Sequence, residues 1–138
     1  LCEKTDGRHE AGAFLLGTRK GRKRFVREVI FFDDLDSRAY STGICILKAN
    51  AFSRLWRQCE ELNLEVVADI HVHPFGAWQS ESDRTNPMIA SKGHVALILP
   101  NFAQLPLNVR HIGMYEYLGR HTWRSLGGRW IFCRLRIG

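Results

Sequence analysis

The chain has 138 residues and a mass of 15.9 kDa, so we expect one domain over residues 1–138, because two would each be too small to bury a good core. Its 45% hydrophobic and 25% charged residues are typical of a globular domain and argue against a disordered segment. No apolar run approaches the roughly 20 residues of a membrane-spanning helix, and residues 1–8 are too polar for a signal peptide. We therefore expect a cytoplasmic protein with no membrane partner.

The first part of the chain predicts a hairpin. Residues 14–17 and residues 25–32 carry apolar runs on either side of a basic cluster at residues 19–24, and we interpret them as two paired strands. The cluster contributes to a net charge of +6 and could bind nucleic acid or attract an acidic partner. Its place between two strands favours a solvent-exposed turn, so we expect no nucleic-acid partner. Residues 33–37 are polar and predict a loop, whereas residues 40–47 are ambiguous.

The clearest helix is predicted next. Its apolar residues recur at intervals of three and four, the spacing of one helix face. Asn50 is a suitable N-cap and Asn63 a suitable stop. The predicted apolar face consists of Phe52, Leu55, Trp56, Cys59 and Leu62.

The second half of the chain predicts four strands, at residues 65–73, 95–99, 109–118 and 130–135. Pro74 ends the first of them, and residues 85–87 resemble the start of a short helix with proline in its first turn. Gly127 and Gly128 indicate a turn before the last strand. This order of elements predicts a mixed α/β fold, in which a curved β-sheet packs against one main helix and one short helix.

Two histidines stand at the end of the strand over residues 65–73. Side chains two residues apart on a strand project from the same face, so His71 and His73 point together. Pro74 then lets the chain turn away, which opens space beside the imidazoles. Two neutral imidazoles on a rigid strand can bind zinc, although an H-x-H pair by itself is more often two surface histidines.

A carboxylate follows ten residues after the second histidine. A loop of that length can fold back and present Asp83 as a third ligand. Two histidines and one carboxylate leave the fourth tetrahedral position open, which is the pattern of a catalytic zinc site. Ser80 lies three residues before Asp83, near enough to offer its hydroxyl to a developing oxyanion.

Two further carboxylates are candidates for the same site. Glu10 directly precedes the first predicted strand, and it would reach the metal cavity as a general base if that strand lay beside the one carrying His71. By itself, Glu10 is more often an exposed carboxylate at a strand start. Asp69 shares the face of His71 and is either its partner or an ordinary strand carboxylate. His94, His111 and His121 lack motif spacing and indicate structural or surface roles.

Taken in order, these residues resemble the signature of the JAMM (JAB1/MPN/Mov34) metalloprotease family. Glu10 lies seven residues before Gly17, and the H-x-H-P motif at His71 and the S-x-x-D motif at Ser80 follow. The resemblance extends to about Trp123. Residues 83–100 are similar to the bacterial branch, whose members accompany ubiquitin-like proteins and their activating and conjugating enzymes.

The resemblance implies an MPN (cytidine-deaminase-like) domain that binds one zinc ion per chain. His71, His73 and Asp83 would be the zinc ligands. Glu10 would be the general base that takes a proton from water and hands it to the leaving amine. Ser80 would stabilise the oxyanion.

The activity implied is cleavage after the C-terminal glycine of a ubiquitin-like protein, either in a precursor or in a conjugate to a target lysine. Its partners would be that modifier and the enzymes of a bacterial conjugation pathway, which could serve antiviral defence. Phe75 and Trp78 would either line the groove for the substrate tail or anchor their loop on the core. Val72, where eukaryotic members prefer Ser or Thr, and a loop one residue shorter than theirs argue against a eukaryotic ubiquitin-chain substrate.

Two alternatives remain open. The same site could trim a sulfur-carrier protein, as bacterial relatives do. The chain could also be a non-catalytic MPN scaffold, but scaffolds typically lose one or more ligands, whereas this sequence keeps all five active positions.

Overall fold

A computed structural model describes all residues from Leu1 to Gly138 and shows a mixed α/β fold. The strands are β1 (Gly12–Lys20), β2 (Lys23–Phe31), β3 (Glu65–Val72), β4 (Val95–Leu99), β5 (Gly113–Gly119), β6 (Thr122–Ser125) and β7 (Leu135–Ile137). They form one seven-stranded sheet in the order β6-β5-β4-β3-β1-β2-β7. The β3–β4 and β2–β7 pairs are parallel and the other pairs are antiparallel.

The helices are few and short. They are α1 (Phe32–Leu35), α2 (Ala49–Leu62), α3 (Glu81–Thr85) and α4 (Ile131–Arg134). Single 3₁₀ turns occur at Glu3–Thr5, Asn101–Ala103, Val109–His111 and Gly128–Trp130. None of these helices combines the length and the apolar composition that crossing a membrane requires.

The predicted hairpin is confirmed, and the basic cluster forms its turn. Arg19 pairs with Arg24 and Lys20 with Lys23, so the two strands meet at a tip that is open to solvent. Arg24 is the exception, because its side chain is buried and donates a hydrogen bond of 2.7 Å to the carbonyl of Gly93. Most of this cluster is therefore solvated, but one of its members is part of the packed structure.

The predicted main helix is present, with a narrower apolar face than its sequence indicates. Leu55 and Cys59 are buried against the sheet, whereas Trp56 and Leu62 are each 47% exposed. The N-cap position is Lys48, so the prediction of Asn50 as the cap is wrong and Asn50 lies inside the first turn. Asn63 does end the helix. It adopts a left-handed conformation with φ 53°, and its N–H reaches the carbonyls of the last turn.

The segment after β2 is a helical turn and not the polar loop predicted at residues 33–37. Phe32 and Leu35 are both buried, which gives the single turn of α1 two apolar anchors in the core. The ambiguous residues 40–47 form turns and then an extended segment. In that segment the N–H of Ile46 donates to the carbonyl of Ala39 at 2.9 Å.

The short helix lies one turn earlier than predicted. Residues 85–87 mark its end and not its start, because α3 begins after Ser80 and ends at Thr85. Asn86 has φ −126° and ψ 65°, outside the helical region. The proline that follows it disfavours helical backbone at the preceding residue, which explains why the helix stops there.

The C-terminal part contains more turns than its apolar pattern predicts. Strand β5 begins only at Gly113, since residues Val109–His111 form a 3₁₀ turn, and β6 follows as an unpredicted hairpin partner. The strand predicted at residues 130–135 is wrong, because most of it forms α4. The Arg134 guanidinium lies 5.7 Å from the centre of the Trp130 ring, and such a contact between residues four apart favours a helical turn.

Two leucines on α2 test which face of the helix carries the stability. Leu55→Ala should lower the free energy of unfolding by about 2–5 kcal/mol, because the side chain is fully buried and leaves a cavity. Leu62→Ala removes the same atoms from a half-exposed position and should cost less than about 1 kcal/mol. Urea unfolding of both variants measures the difference, and equal losses would contradict the observed packing.

Candidate metal centre

Three predicted metal ligands come together at the end of β3. The Nε2 atoms of His71 and His73 are 2.9 Å apart. Asp83 lies opposite them, with Oδ1 3.3 Å from Nε2 of His71 and Oδ2 3.3 Å from Nε2 of His73. The histidines are buried and the aspartate is half-buried. This cluster could hold a metal ion.

The donor set of this cluster fits zinc. Neighbouring ligand atoms in a tetrahedral site with bonds of about 2.0–2.1 Å are about 3.3 Å apart. Two of the three separations in the cluster are 3.3 Å and the third is 2.9 Å. Two imidazole nitrogens argue against calcium and magnesium, which prefer oxygen ligands. Three protein ligands also leave one position open for water or substrate.

The sheet positions both histidines. They alternate along β3 and its end, so their rings project from one face as predicted. Beyond β3, the N–H of His73 donates to the carbonyl of Leu99 at 2.9 Å, and its own carbonyl accepts from the N–H of Phe102 at 2.9 Å. Because both backbone polar groups of His73 are hydrogen-bonded, the second histidine stays aligned with the first.

A capping box positions Asp83. The N–H of Asp83 donates to Oγ of Ser80 at 3.1 Å, while the N–H of Ser80 donates to Oδ2 of Asp83 at 2.7 Å. The Ser80 hydroxyl also donates to the same oxygen at 2.8 Å. Its single proton is therefore directed at the carboxylate. In this geometry Ser80 fixes the orientation of the third ligand.

Glu10 reaches the cluster because β1 pairs with β3. Gly12 lies opposite His71 in the antiparallel register, and the chain continues from there toward His73. Oε1 of Glu10 is 3.6 Å from Nε2 of His73. The N–H of Glu10 donates to the carbonyl of Gly43 at 2.9 Å, and the nearby backbone of Cys45 acts to lower the pKa of the Glu10 carboxyl. The ambiguous residues 40–47 thus hold Glu10 in place.

The protonation of the site follows from its crowded charges. Burial raises the pKa of Glu10, although the two imidazoles oppose this effect. Burial would also raise the pKa of Asp83, but hydrogen bonds from His71 and His73 outweigh it and hold that pKa well below its usual range. Burial would lower the pKa of His71, whereas the carboxylates of Asp69 and Asp83 outweigh it and raise that pKa to about 10. A carboxyl with a raised pKa beside the cluster suits a general base.

A groove of about 440 Å³ opens onto the cluster. Glu10, His71, Ser80 and Asp83 contribute its polar side. Its apolar wall comes from the extended segment after residue 43, from α2, from the loop after α3 and from β6. The residues are Ile44, Ile46, Leu47, Phe52, Met88 and Trp123. The sequence does not assign these residues to the site. The sequence feature that could have indicated these groove residues is the apolar run at residues 44–47, which lies outside any predicted helix or strand.

The structure does not bring Phe75 and Trp78 into this groove. Phe75 is 75% exposed and Trp78 is 66% exposed, and neither lines the groove. The Trp78 ring covers Gly76, where an added Cβ would lie 1.6 Å from a ring carbon. Their loop is held by the Tyr115 hydroxyl, which donates to the carbonyl of Ala77 at 2.8 Å. The two aromatic side chains therefore lie on the outer side of the loop that joins His73 to Ser80.

Asp69 is buried and belongs to the surroundings of the cluster. Its Oδ1 accepts a hydrogen bond of 2.6 Å from Nε2 of His94, and its Oδ2 lies 3.9 Å from Nδ1 of His71. His94 is also buried, whereas His111 and His121 are exposed and lie outside the site. The first of these histidines is thus structural, and the other two are surface residues.

A sequence relative bears on this site, and no protein-family model matches the chain. The chain is 26% identical over 119 residues to the protein named probable metalloprotease y4jG from Sinorhizobium fredii (strain NBRC 101917 / NGR234). The match covers 86% of this chain and 73% of that protein.

Two solved structures are similar in fold. Protein DSY2949 from Desulfitobacterium hafniense aligns with a TM-score of 0.62 at 14% identity, covering 99% of this chain and 86% of that one. A protein from Salinibacter ruber aligns with a TM-score of 0.57 at 17% identity, covering 98% of this chain and 83% of that one. At these identities the two structures indicate a shared fold and nothing about activity. Of these similarities, the one that concerns activity is the match to the probable metalloprotease.

Proposed function

We propose that this protein is a zinc-dependent metalloprotease of the JAMM type, built on an MPN domain. The observation that carries the proposal is the convergence of His71, His73 and Asp83, with Glu10 beside them, at an open groove. The similarity to a protein named probable metalloprotease supports the same reaction class. Hydrolysis of a peptide or isopeptide bond is the chemistry that this combination performs best.

Each of the site residues has a part in that chemistry. Zinc bound in such a site lowers the pKa of water to about 7 and polarises a carbonyl oxygen. Glu10 accepts the proton of the attacking water on its carboxylate and delivers it to the nitrogen of the leaving amine. Its partly buried position keeps the carboxylate close to the reacting atoms and limits access of bulk water. His71, His73 and Asp83 would hold the metal.

We further propose that the substrate is a ubiquitin-like protein, cleaved after its C-terminal glycine. An extended tail would lie in the groove, with its scissile bond beside Glu10 and its flanking residues against the apolar wall. The reaction would release the modifier from a precursor or from a target lysine, in a bacterial pathway that could serve antiviral defence. Trimming of a sulfur-carrier protein uses the same chemistry and differs only in the tail that enters the groove.

Zinc content tests the ligand assignment. The purified protein should contain about one zinc per chain after reconstitution, because three ligands of the right type converge. His71→Ala and Asp83→Ala should each lose the metal, whereas His111→Ala removes an exposed imidazole and should retain it. Elemental analysis measures all four proteins. An intact site without zinc would instead support the non-catalytic scaffold.

Turnover tests the assignment of the base. Glu10→Gln should keep the zinc and the fold but lower kcat by at least about 100-fold, since the amide cannot accept the proton. Glu81→Gln is the matched control, because Glu81 is an exposed carboxylate next to Ser80. The assay follows release of a fluorophore from a peptide that ends in Gly-Gly, and cleavage of a ubiquitin-like protein extended beyond its glycine. A Glu10→Gln variant with near wild-type kcat would contradict the assignment.

Ser80 allows two roles to be separated. As a capping residue that orients Asp83, Ser80→Ala should lower the free energy of unfolding by about 1 kcal/mol and weaken zinc binding. Ser80→Thr keeps the hydroxyl and should preserve both, and Ser82→Ala removes an exposed hydroxyl from the same helix as a control. Chemical unfolding and zinc competition measure the two effects. A fall in kcat with unchanged zinc affinity would favour the oxyanion role alone.

A further inference from the structure

A buried carboxylate, Asp69, lies beside the metal cluster and borders the same groove. Asp69 is 2% exposed and His94 is 1% exposed. Oδ1 of Asp69 accepts a hydrogen bond of 2.6 Å from Nε2 of His94. Its other oxygen, Oδ2, lies 3.9 Å from Nδ1 of His71. The carboxylate therefore stands between two imidazoles, one from β3 and one from the residue before β4.

The ring of His71 is oriented so that its two nitrogens face different groups. Nε2 faces the cluster, 2.9 Å from Nε2 of His73 and 3.3 Å from Oδ1 of Asp83. Nδ1 faces Asp69. A histidine that binds a metal through one nitrogen commonly donates its other N–H to a carboxylate, which fixes both the tautomer and the direction of the ring.

The Asp69 carboxylate makes no hydrogen bond that would stabilise the sheet itself. Its only hydrogen bond within normal distance comes from His94, and no backbone N–H donates to it. Burying an ionisable group in this way is costly unless it is paired. A hydrophobic side chain at this position of a central strand would satisfy the sheet equally well. The position of Asp69 is explained by what it does for its neighbours.

His94 is itself held rigidly. Its N–H donates to the carbonyl of Ser91 at 2.9 Å, and its carbonyl accepts from the N–H of Tyr117 on β5 at 2.8 Å. The Nδ1 atom of its ring is buried without a hydrogen-bond partner. The polar contact of this side chain is therefore made through Nε2, toward Asp69.

We infer that Asp69 is a positioning residue for His71, and that His94 fixes Asp69 in turn. Asp69 receives the Nδ1–H of His71 when the metal is bound, so that the lone pair of Nε2 points at the metal. The small movement that shortens the 3.9 Å separation is a rotation of the His71 ring. This inference rests on the proposed function, because it takes His71 as a metal ligand.

Zinc affinity of the full chain tests the inference, with Zn²⁺ alone as the probe and a chromophoric chelator as competitor. Asp69→Asn preserves shape and removes the charge, and it should weaken zinc binding by about 10–100-fold. His94→Leu should also weaken it. His94→Gln presents an amide N–H near the position of the ring Nε2–H, and it should recover most of the affinity that His94→Leu loses.

Val67→Ala is the control for a general loss of stability. Val67 is fully buried on the same strand and has no polar side-chain group, so this variant should lower the thermal midpoint and leave zinc affinity unchanged. The ¹H–¹⁵N spectrum of histidine-labelled, zinc-loaded protein supplies a direct readout. The wild type should show a His71 Nδ1–H proton that exchanges slowly with solvent, and Asp69→Asn should lose or shift that signal.

The outcomes separate this inference from the proposed function. If the wild type and Asp69→Asn bind zinc equally well and the Nδ1–H signal is unchanged, the positioning role alone is overturned. Wild-type protein that binds no zinc would overturn the proposed function and this inference with it. Where Asp69→Asn does not fold, the His94→Leu and His94→Gln pair decides, and equal zinc affinities in the pair would overturn the inference.

Discussion

The antiparallel pairing of β1 with β3 is the contact on which the geometry of the candidate site depends. Its register sets Gly12 opposite His71, and this brings Glu10 to within 3.6 Å of His73 although the two lie far apart in sequence. A slip of one residue would turn every side chain of β1 to the opposite face of the sheet. Such a slip is disfavoured because it would move a neighbouring alanine into the place of Gly12, where an added Cβ would clash with the Phe32 ring. The packing of the central strands thus specifies the spacing between Glu10 and the candidate metal ligands.

The site concentrates charge where the sheet excludes water. Two imidazoles and three carboxylates lie within a few ångströms of one another at the end of β3. Their mutual attraction offsets the cost of burial, as the lowered pKa of Asp83 and the raised pKa of His71 indicate. A divalent cation would add the positive charge that balances the carboxylates once the imidazoles are deprotonated. Rigid elements hold most of these groups, which suits a site that must keep its shape while one position stays open.

Where the sequence pattern is local, it predicted the structure well. The alternation of His71 and His73 on a strand, the hairpin around the basic turn and the stop of α2 at Asn63 all depend on neighbouring residues, and all are observed. Predictions failed where distant residues decide. Trp56 has the spacing of a core residue, but it is 47% exposed in the folded chain. The segment at residues 130–135 is apolar enough for a strand and instead folds as a helical turn.

The mixed α/β class and the candidate ligands could be predicted from the amino-acid sequence, since strand alternation and motif spacing are properties of short stretches of chain. The sequence also placed Asp69 on the same face as His71. The folded structure was needed to show that Asp69 accepts a hydrogen bond from His94, that Gly43 holds Glu10, and that the segment after Gly43 lines the groove. These contacts join residues from different strands and loops. They follow from the strand order of the sheet, which local patterns in a single sequence do not encode.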